Sequence, residues 1–153
     1  MKRLNKRVVV GGTFETLHKG HRALLKKAFN LGKVVIGLTS NSFARKMKKR
    51  KVADFQIRKK QLTDFILKNF SAKPEIVKIE NKFGFTRLKN FDFIAVSPET
   101  YSTALEINKE RKRRKRKPIK IVKINFVLAE DKKPISSTRI LKGEINSEGK
   151  LLR

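Results

Sequence analysis

The residue types best suited to chemistry lie together near the N-terminus, in Gly11-Gly12-Thr13-Phe14-Glu15-Thr16-Leu17-His18-Lys19-Gly20-His21. Glycines let a backbone approach a ligand closely, and a helix starting here would turn free N–H groups and the positive end of its dipole toward phosphate. His18 and His21 stand three residues apart, so both project from one side of that first turn. They are the only histidines in the chain, and there is no cysteine. A zinc site would therefore need carboxylates to complete it, while disulfides, thiolate nucleophiles and iron–sulfur clusters are excluded. At a glycine-rich strand-to-helix junction the two imidazoles read as donors to phosphate rather than as metal ligands. A second segment, Pro134-Ile135-Ser136-Ser137-Thr138-Arg139-Ile140, sets hydroxyl groups just ahead of an expected helix. Taken alone, Ser and Thr there are ordinary helix caps.

Positioning two such distant segments requires a scaffold, and the hydrophobic pattern supplies one. Residues 7–11 form a short apolar run ending in glycine, as a strand buried on both faces does. Residues 18–30 carry Leu24, Leu25, Ala28 and Phe29 at helical spacing, with Gly32 beyond the last turn. Residues 33–39 read as a second strand. Asp54 is a candidate N-cap for a helix through 69 that buries Leu62, Phe65 and Ile66. Strands are expected at 75–80, 91–96 and 119–128. Ser97-Pro98-Glu99 has the cap, proline and early carboxylate of a helix start, and a last short helix should begin at Ser136 or Ser137 and end by Gly143. This alternation predicts an α/β three-layer sandwich on a mostly parallel five-stranded sheet, forming one domain over 1–153. In such sheets ligands bind at the carboxyl ends of the strands, where strand order reverses, and the loop after the first strand lies there.

Composition bounds the partners. Forty Lys and Arg against 13 Asp and Glu give a formal charge of +27 in 153 residues. That surplus favours polyanions, because cations that neutralise phosphates release counterions without reading sequence. The basic runs at 45–51 and 109–117 are expected in loops or helix ends, and neither zinc-finger spacing nor an aromatic-rich ribonucleoprotein motif accompanies them. A hydrophobic share of 39%, gathered in strand-length clusters, is enough for a folded core. Apolar stretches such as 34–38 fall far short of a membrane span, and the basic segment 1–7 leads into a strand without a signal-peptide core. A cytoplasmic protein is the expectation.

Gly12-Thr13-Phe14 followed by His18-x-Gly20-His21 resembles the signature of the HxGH nucleotidyltransferase superfamily, and 134–140 resembles its C-terminal signature. The likeness extends over nearly the whole chain to archaeal-type phosphopantetheine adenylyltransferases. It is carried by the double glycine, Gly20-His21-Arg22-Ala23-Leu24-Leu25, Val96-Ser97-Pro98-Glu99-Thr100, Phe126-Val127-Leu128-Ala129-Glu130-Asp131 and Gly143-Glu144-Ile145. Lys19 departs from many of these relatives, which carry Asp or another residue there. The resemblance implies a Rossmann-like fold and transfer of AMP from ATP to 4′-phosphopantetheine, with magnesium accompanying ATP and held mainly by phosphates and water. His18 and Thr13 are then the catalytic candidates, the first at the transferred phosphoryl group and the second at the attacking phosphate. Gly12, Phe14, His21, Ser136, Ser137, Thr138, Arg139 and Glu99 would hold the nucleotide. Lys48 and Arg58, chosen from several cations, would grip the phosphate of 4′-phosphopantetheine. Relatives that share the cradle but differ in acceptor or base stay open, namely glycerol-3-phosphate cytidylyltransferases, nicotinamide mononucleotide adenylyltransferases and FAD synthetases. So does a nucleic-acid-binding relative without turnover.

Overall fold

The computed structural model describes residues 5–86 and 89–152, so the first four residues of the basic N-terminal segment lie outside the described residues. Five strands, β1 (Arg7–Gly12), β2 (Lys33–Thr39), β3 (Glu75–Ile79), β4 (Phe93–Val96) and β5 (Lys120–Lys123), form one sheet in the order β3-β2-β1-β4-β5. Every ladder in it is parallel. The helices are α1 (Lys19–Leu31), α2 (Asn41–Lys48), α3 (Phe55–Phe70), α4 (Tyr101–Arg113) and α5 (Ser137–Leu141).

Strand residues alternate between two cores, which is what makes three layers. Val8, Val10, Val34, Ile36 and Leu38 pack with Leu24, Leu25 and Ala28 of α1 and Leu62 and Ile66 of α3. Val9, Val35, Ile94 and Val96 face the opposite way, against Ala104 and Ile107 of α4. A smaller cluster of Ala129, Ile135 and Ile145 seats the segment around α5.

The basic run at 45–51 lies at a helix end, as expected: Ser40 caps α2 by accepting from the Phe43 amide at 3.2 Å, and Arg45, Lys46 and Lys48 stand in its last turn. Two local expectations need correction. Ser97-Pro98-Glu99 forms a turn, and α4 starts only after Thr100. The last strand stops at Lys123 instead of 128, since β4 ends at Val96 and the Ile124 amide takes the final carbonyl on that edge, that of Val96.

Strand order reverses between β1 and β4. Their ladder pairs Val8 with Phe93 and Val9 with Ile94, whereas β1 stays paired to β2 through Gly12. The carboxyl ends of β1 and β4 thus border an open crevice at the switch point, where the loop after β1, the start of α1 and the start of α5 converge.

Candidate active site

The crevice is built from a strained turn and two unusual caps. After Gly12 the chain passes through Phe14 and Thr16, both in the left-handed region with φ of 49° and 53°. Such conformations cost free energy for residues with a Cβ and persist where the surroundings enforce them. Gly12 helps enforce them, because a Cβ there would lie 3.0 Å from the Phe14 ring. Beyond the turn, His18 is the N-cap of α1: its Nδ1 accepts from the Gly20 amide at 3.0 Å, and the His18 amide donates to Nδ1 of His21 at 3.2 Å. This is a reciprocal capping box with imidazoles in the places usually taken by Ser or Thr and Glu.

That arrangement fixes the tautomers. Each Nδ1 is an acceptor, so each neutral ring carries its hydrogen on Nε2. The ring centroids are 3.9 Å apart. Burial, aided by the Lys48 ammonium, pushes the His18 pKa down to about 4. Burial holds His21 well below the ordinary histidine range, with His18 and Lys48 adding to the effect. Both rings are therefore neutral at physiological pH and offer Nε2–H to a ligand.

Two connected cavities occupy the crevice. The larger, about 460 Å³, is lined by Gly12, Thr13, Phe14, Lys48, Glu99 and Ser137 and by apolar groups such as Phe43, Ile79 and Ile107. The smaller, about 130 Å³, is lined by His18, Ser136 and Thr138. His21, Lys48, Glu99 and Ser137 border both. Volumes of this size suit small-molecule ligands.

The structure thus brings together all but two of the side chains expected at the site. Ser137 Oγ donates to the Glu15 carbonyl at 2.5 Å and fastens α5 to the turn, while Ser136 Oγ caps α5 by accepting from the Arg139 amide at 3.2 Å. Thr138 is exposed at the same helix start. Arg139 lines neither cavity; its guanidinium bonds Asp131, Glu144 and the Pro134 carbonyl. Arg58 also lines neither. It is fully buried, with donors committed to the carbonyls of Ala53 and Thr13, to Thr39 Oγ1 and to Asn41 Oδ1, so of the two cations expected at the acceptor phosphate only Lys48 faces a cavity. Sequence reasoning missed Thr39, which lines the larger cavity and hydrogen-bonds Thr13 at 3.1 Å. It also missed Phe43 and Met47 of α2, which wall the same cavity. The available signal was position: the polar run Thr39-Ser40-Asn41 closes a strand at the binding end of the sheet.

Comparison with known proteins decides the family. The cytidylyltransferase-like family model matches residues 9–143, a span that takes in both segments of the crevice. A phosphopantetheine adenylyltransferase of Archaeoglobus fulgidus is 44% identical over 148 residues, covering 95% of this chain and 99% of the relative. One of Methanosarcina mazei is 45% identical over 150 residues, covering 95% and 96%. The chain belongs to the phosphopantetheine adenylyltransferase family. A solved structure of an Archaeoglobus fulgidus protein of unknown function agrees in fold, with a TM-score of 0.74 at 41% identity over 79% of this chain and 99% of that one. As an adenylyltransferase of the cytidylyltransferase-like group, it is a nucleotidyltransferase on an α/β Rossmann-like sheet. Among the described residues no helix is long and apolar enough to cross a membrane.

Among the described residues no group of three or more His, Asp or Glu is placed to hold a metal. Of the carboxylates bordering the larger cavity, Glu15 is already paired with Arg50 at 2.8 Å and accepts from the Ala53 amide at 2.8 Å.

Proposed function

We propose that the chain transfers the adenylyl group of ATP to 4′-phosphopantetheine, giving dephospho-coenzyme A and pyrophosphate. The observation that carries the reading is the pair of neutral Nε2–H donors fixed at the start of α1, where the two cavities meet. A phosphate oxygen of the acceptor attacks the α-phosphorus and forms the new P–O bond. The bond from that phosphorus to the bridging oxygen breaks, and pyrophosphate leaves with the electron pair. No protein nucleophile is required; catalysis comes from alignment and from donors aimed at the charge that develops.

In this reading His18 donates to the transferred phosphoryl group and His21 to the departing side of the triphosphate. Thr13 orients the attacking phosphate, and Gly12 and Phe14 present backbone to the nucleotide. Ser136, Ser137 and Thr138 set the start of α5 against the β- and γ-phosphates, with Arg139 bracing that helix, and Glu99 meets the ribose. Lys48, bordering both cavities, neutralises the phosphates where they meet. The apolar lining of the larger cavity suits the pantetheine arm. Magnesium enters with ATP, held by phosphate oxygens and water. Water-soluble metabolites as substrates support a cytoplasmic location.

A coupled pyrophosphate assay tests the assignment. Turnover with ATP and 4′-phosphopantetheine is expected, with a loss of about a hundredfold or more in His18→Ala at near-native stability. Release of pyrophosphate only with CTP and glycerol 3-phosphate would replace this acceptor and base with another pair.

Polyanion affinity is a second, separate property that we propose for the opposite end of the sheet. Lys6, Arg7, Lys33, Lys117 and Lys120 cluster where strands begin, and Lys112 to Lys115 at the end of α4 are exposed beside them. Glu110 offsets part of this, being bridged to Arg113 at 2.7 Å and Arg114 at 2.9 Å, and the Arg7 guanidinium donates to the Asn90 carbonyl. The lysines of the cluster are exposed and lie away from the crevice, where they can meet phosphates of a nucleic acid backbone.

A further inference from the structure

The structure assigns Thr39 and the buried Arg58 to a directed hydrogen-bond chain that fixes the Thr13 hydroxyl as a donor into the cavity. The inference rests on the adenylyl transfer proposed above and adds two positioning residues to it. Neither was placed there by the sequence motifs, and Arg58 takes this role in place of direct contact with the acceptor.

The argument is one of hydrogen counting. Arg58 Nη1 donates to Thr39 Oγ1 at 3.2 Å and to the Thr13 carbonyl at 3.1 Å. A guanidinium donates and never accepts, and a threonine hydroxyl has a single hydrogen. With its oxygen facing the guanidinium, Thr39 turns that hydrogen toward Thr13 Oγ1, 3.1 Å away. Thr13 Oγ1 is then an acceptor within the protein, and this is its one hydrogen bond among the described residues. Its own hydrogen points to the remaining side, the cavity that Thr13 lines. An unconstrained hydroxyl could present either a lone pair or a hydrogen; this one is set to present a hydrogen, which is what an anionic phosphate oxygen requires.

The chain is held rigidly at its far end. Arg58 Nε donates to the Ala53 carbonyl at 2.7 Å and Nη2 to Asn41 Oδ1 at 3.3 Å, and the same Asn41 oxygen accepts the Phe55 amide at 2.7 Å. The guanidinium thereby ties the start of α3, the end of β2 and the turn after β1 into one unit. A donor whose direction is fixed before the substrate arrives needs no reorganisation during reaction.

Removing Arg58 would strand several buried acceptors and threaten the fold, so Thr39 is the residue to change. Thr39→Val keeps the shape and deletes the hydroxyl, while Thr39→Ser keeps the hydroxyl. With the full chain, ATP and 4′-phosphopantetheine, Thr39→Val should lower kcat roughly tenfold at an unchanged KM for ATP, and Thr39→Ser should stay within about twofold of the parent. Thr13→Val should lose about a hundredfold, and the Thr13→Val/Thr39→Val double variant should be no slower than Thr13→Val alone, because Thr39 acts only through Thr13. A purely structural Thr39 would lower the melting temperature without this pattern. Equal kcat in Thr39→Val and the parent, or losses that add in the double variant, would overturn the inference. A parent chain inactive on 4′-phosphopantetheine would overturn the proposed reaction and this inference with it.

Discussion

Replacing Gly20 with alanine should separate the position of His18 from the stability of the fold. Gly20 is the second residue of α1, and a Cβ built on it would stand 2.8 Å from Cε1 and 3.0 Å from Nδ1 of His18. Ordinary carbon contacts lie near 3.5 Å, so the imidazole must withdraw by about 0.7 Å and loosen its bond to the residue 20 amide. Losing that cap costs about 1 kcal/mol, and alanine returns about as much through its helix preference over glycine. The two nearly cancel, and the melting temperature should move by no more than about 3 °C. Catalysis has no such compensation. Displacing a positioned group by about 1 Å can cost a hundredfold, and we expect kcat to fall about 30- to 100-fold, or about 2–3 kcal/mol of transition-state stabilisation. Thermal melts and pyrophosphate release with saturating ATP and 4′-phosphopantetheine, run side by side, give both numbers. A Gly20→Ala protein that keeps kcat within threefold of the parent would refute the link between the capped imidazole and turnover.

Acid should weaken the fold through the same residue. The folded pKa of His18, about 4, lies below the 6.5 of an unhindered histidine, so protons favour the unfolded chain; its contribution is whole above pH 6.5 and fades as pH falls, by about 3 kcal/mol at pH 4. Urea denaturation at several pH values should show this slope in the parent and a shallower one in His18→Asn, which keeps a capping side chain; equal slopes would rule His18 out as the source. At the basic end of the sheet, Lys112→Glu/Lys115→Glu/Lys117→Glu should leave turnover within about twofold while weakening salt-sensitive binding to a nucleic acid duplex at least tenfold. Unchanged duplex binding would show that these cations are merely a solvated surface.

Much of the fold was legible because strands buried on both faces announce themselves. Runs such as Val8-Val9-Val10 and Val34-Val35-Ile36 have no other comfortable place, and the glycines and caps between them mark where helices begin. The helix α2 was not legible, for a physical reason. It has only eight residues, its only buried one is Ala44, and its apolar side chains Phe43 and Met47 line the cavity instead of a core, so a short stripe among Arg45, Lys46 and Lys48 passed for part of a basic run. The site divided in the same way. His18, Gly20 and His21 could be read because their local spacing carries their function: two caps and the glycine that makes room for them. Arg58 could not, since its role depends on four acceptors from 13, 39, 41 and 53 that meet only after folding.

The surplus of cations and the neutrality of the two crevice histidines have one explanation. A crevice that receives two phosphorylated substrates needs positive potential, but a charged imidazole buried in an empty site would cost more than it returns until the ligands arrive. The fold supplies potential by other means. The first turn of α1 carries no acidic residue, so the positive end of its dipole is not offset there, and Lys48 stands at the end of α2 and borders both cavities. The histidines supply directed hydrogens without charge, and Arg58 supplies charge without exposure, its guanidinium sealed by hydrogen bonds behind Thr13 and Thr39. A net charge of +27 therefore says little about the chemistry. Of the groups bordering the crevice, the two histidines are neutral and Arg58 is sealed behind it, while exposed cations stand both along α2 at the crevice end and around the strand starts at the other.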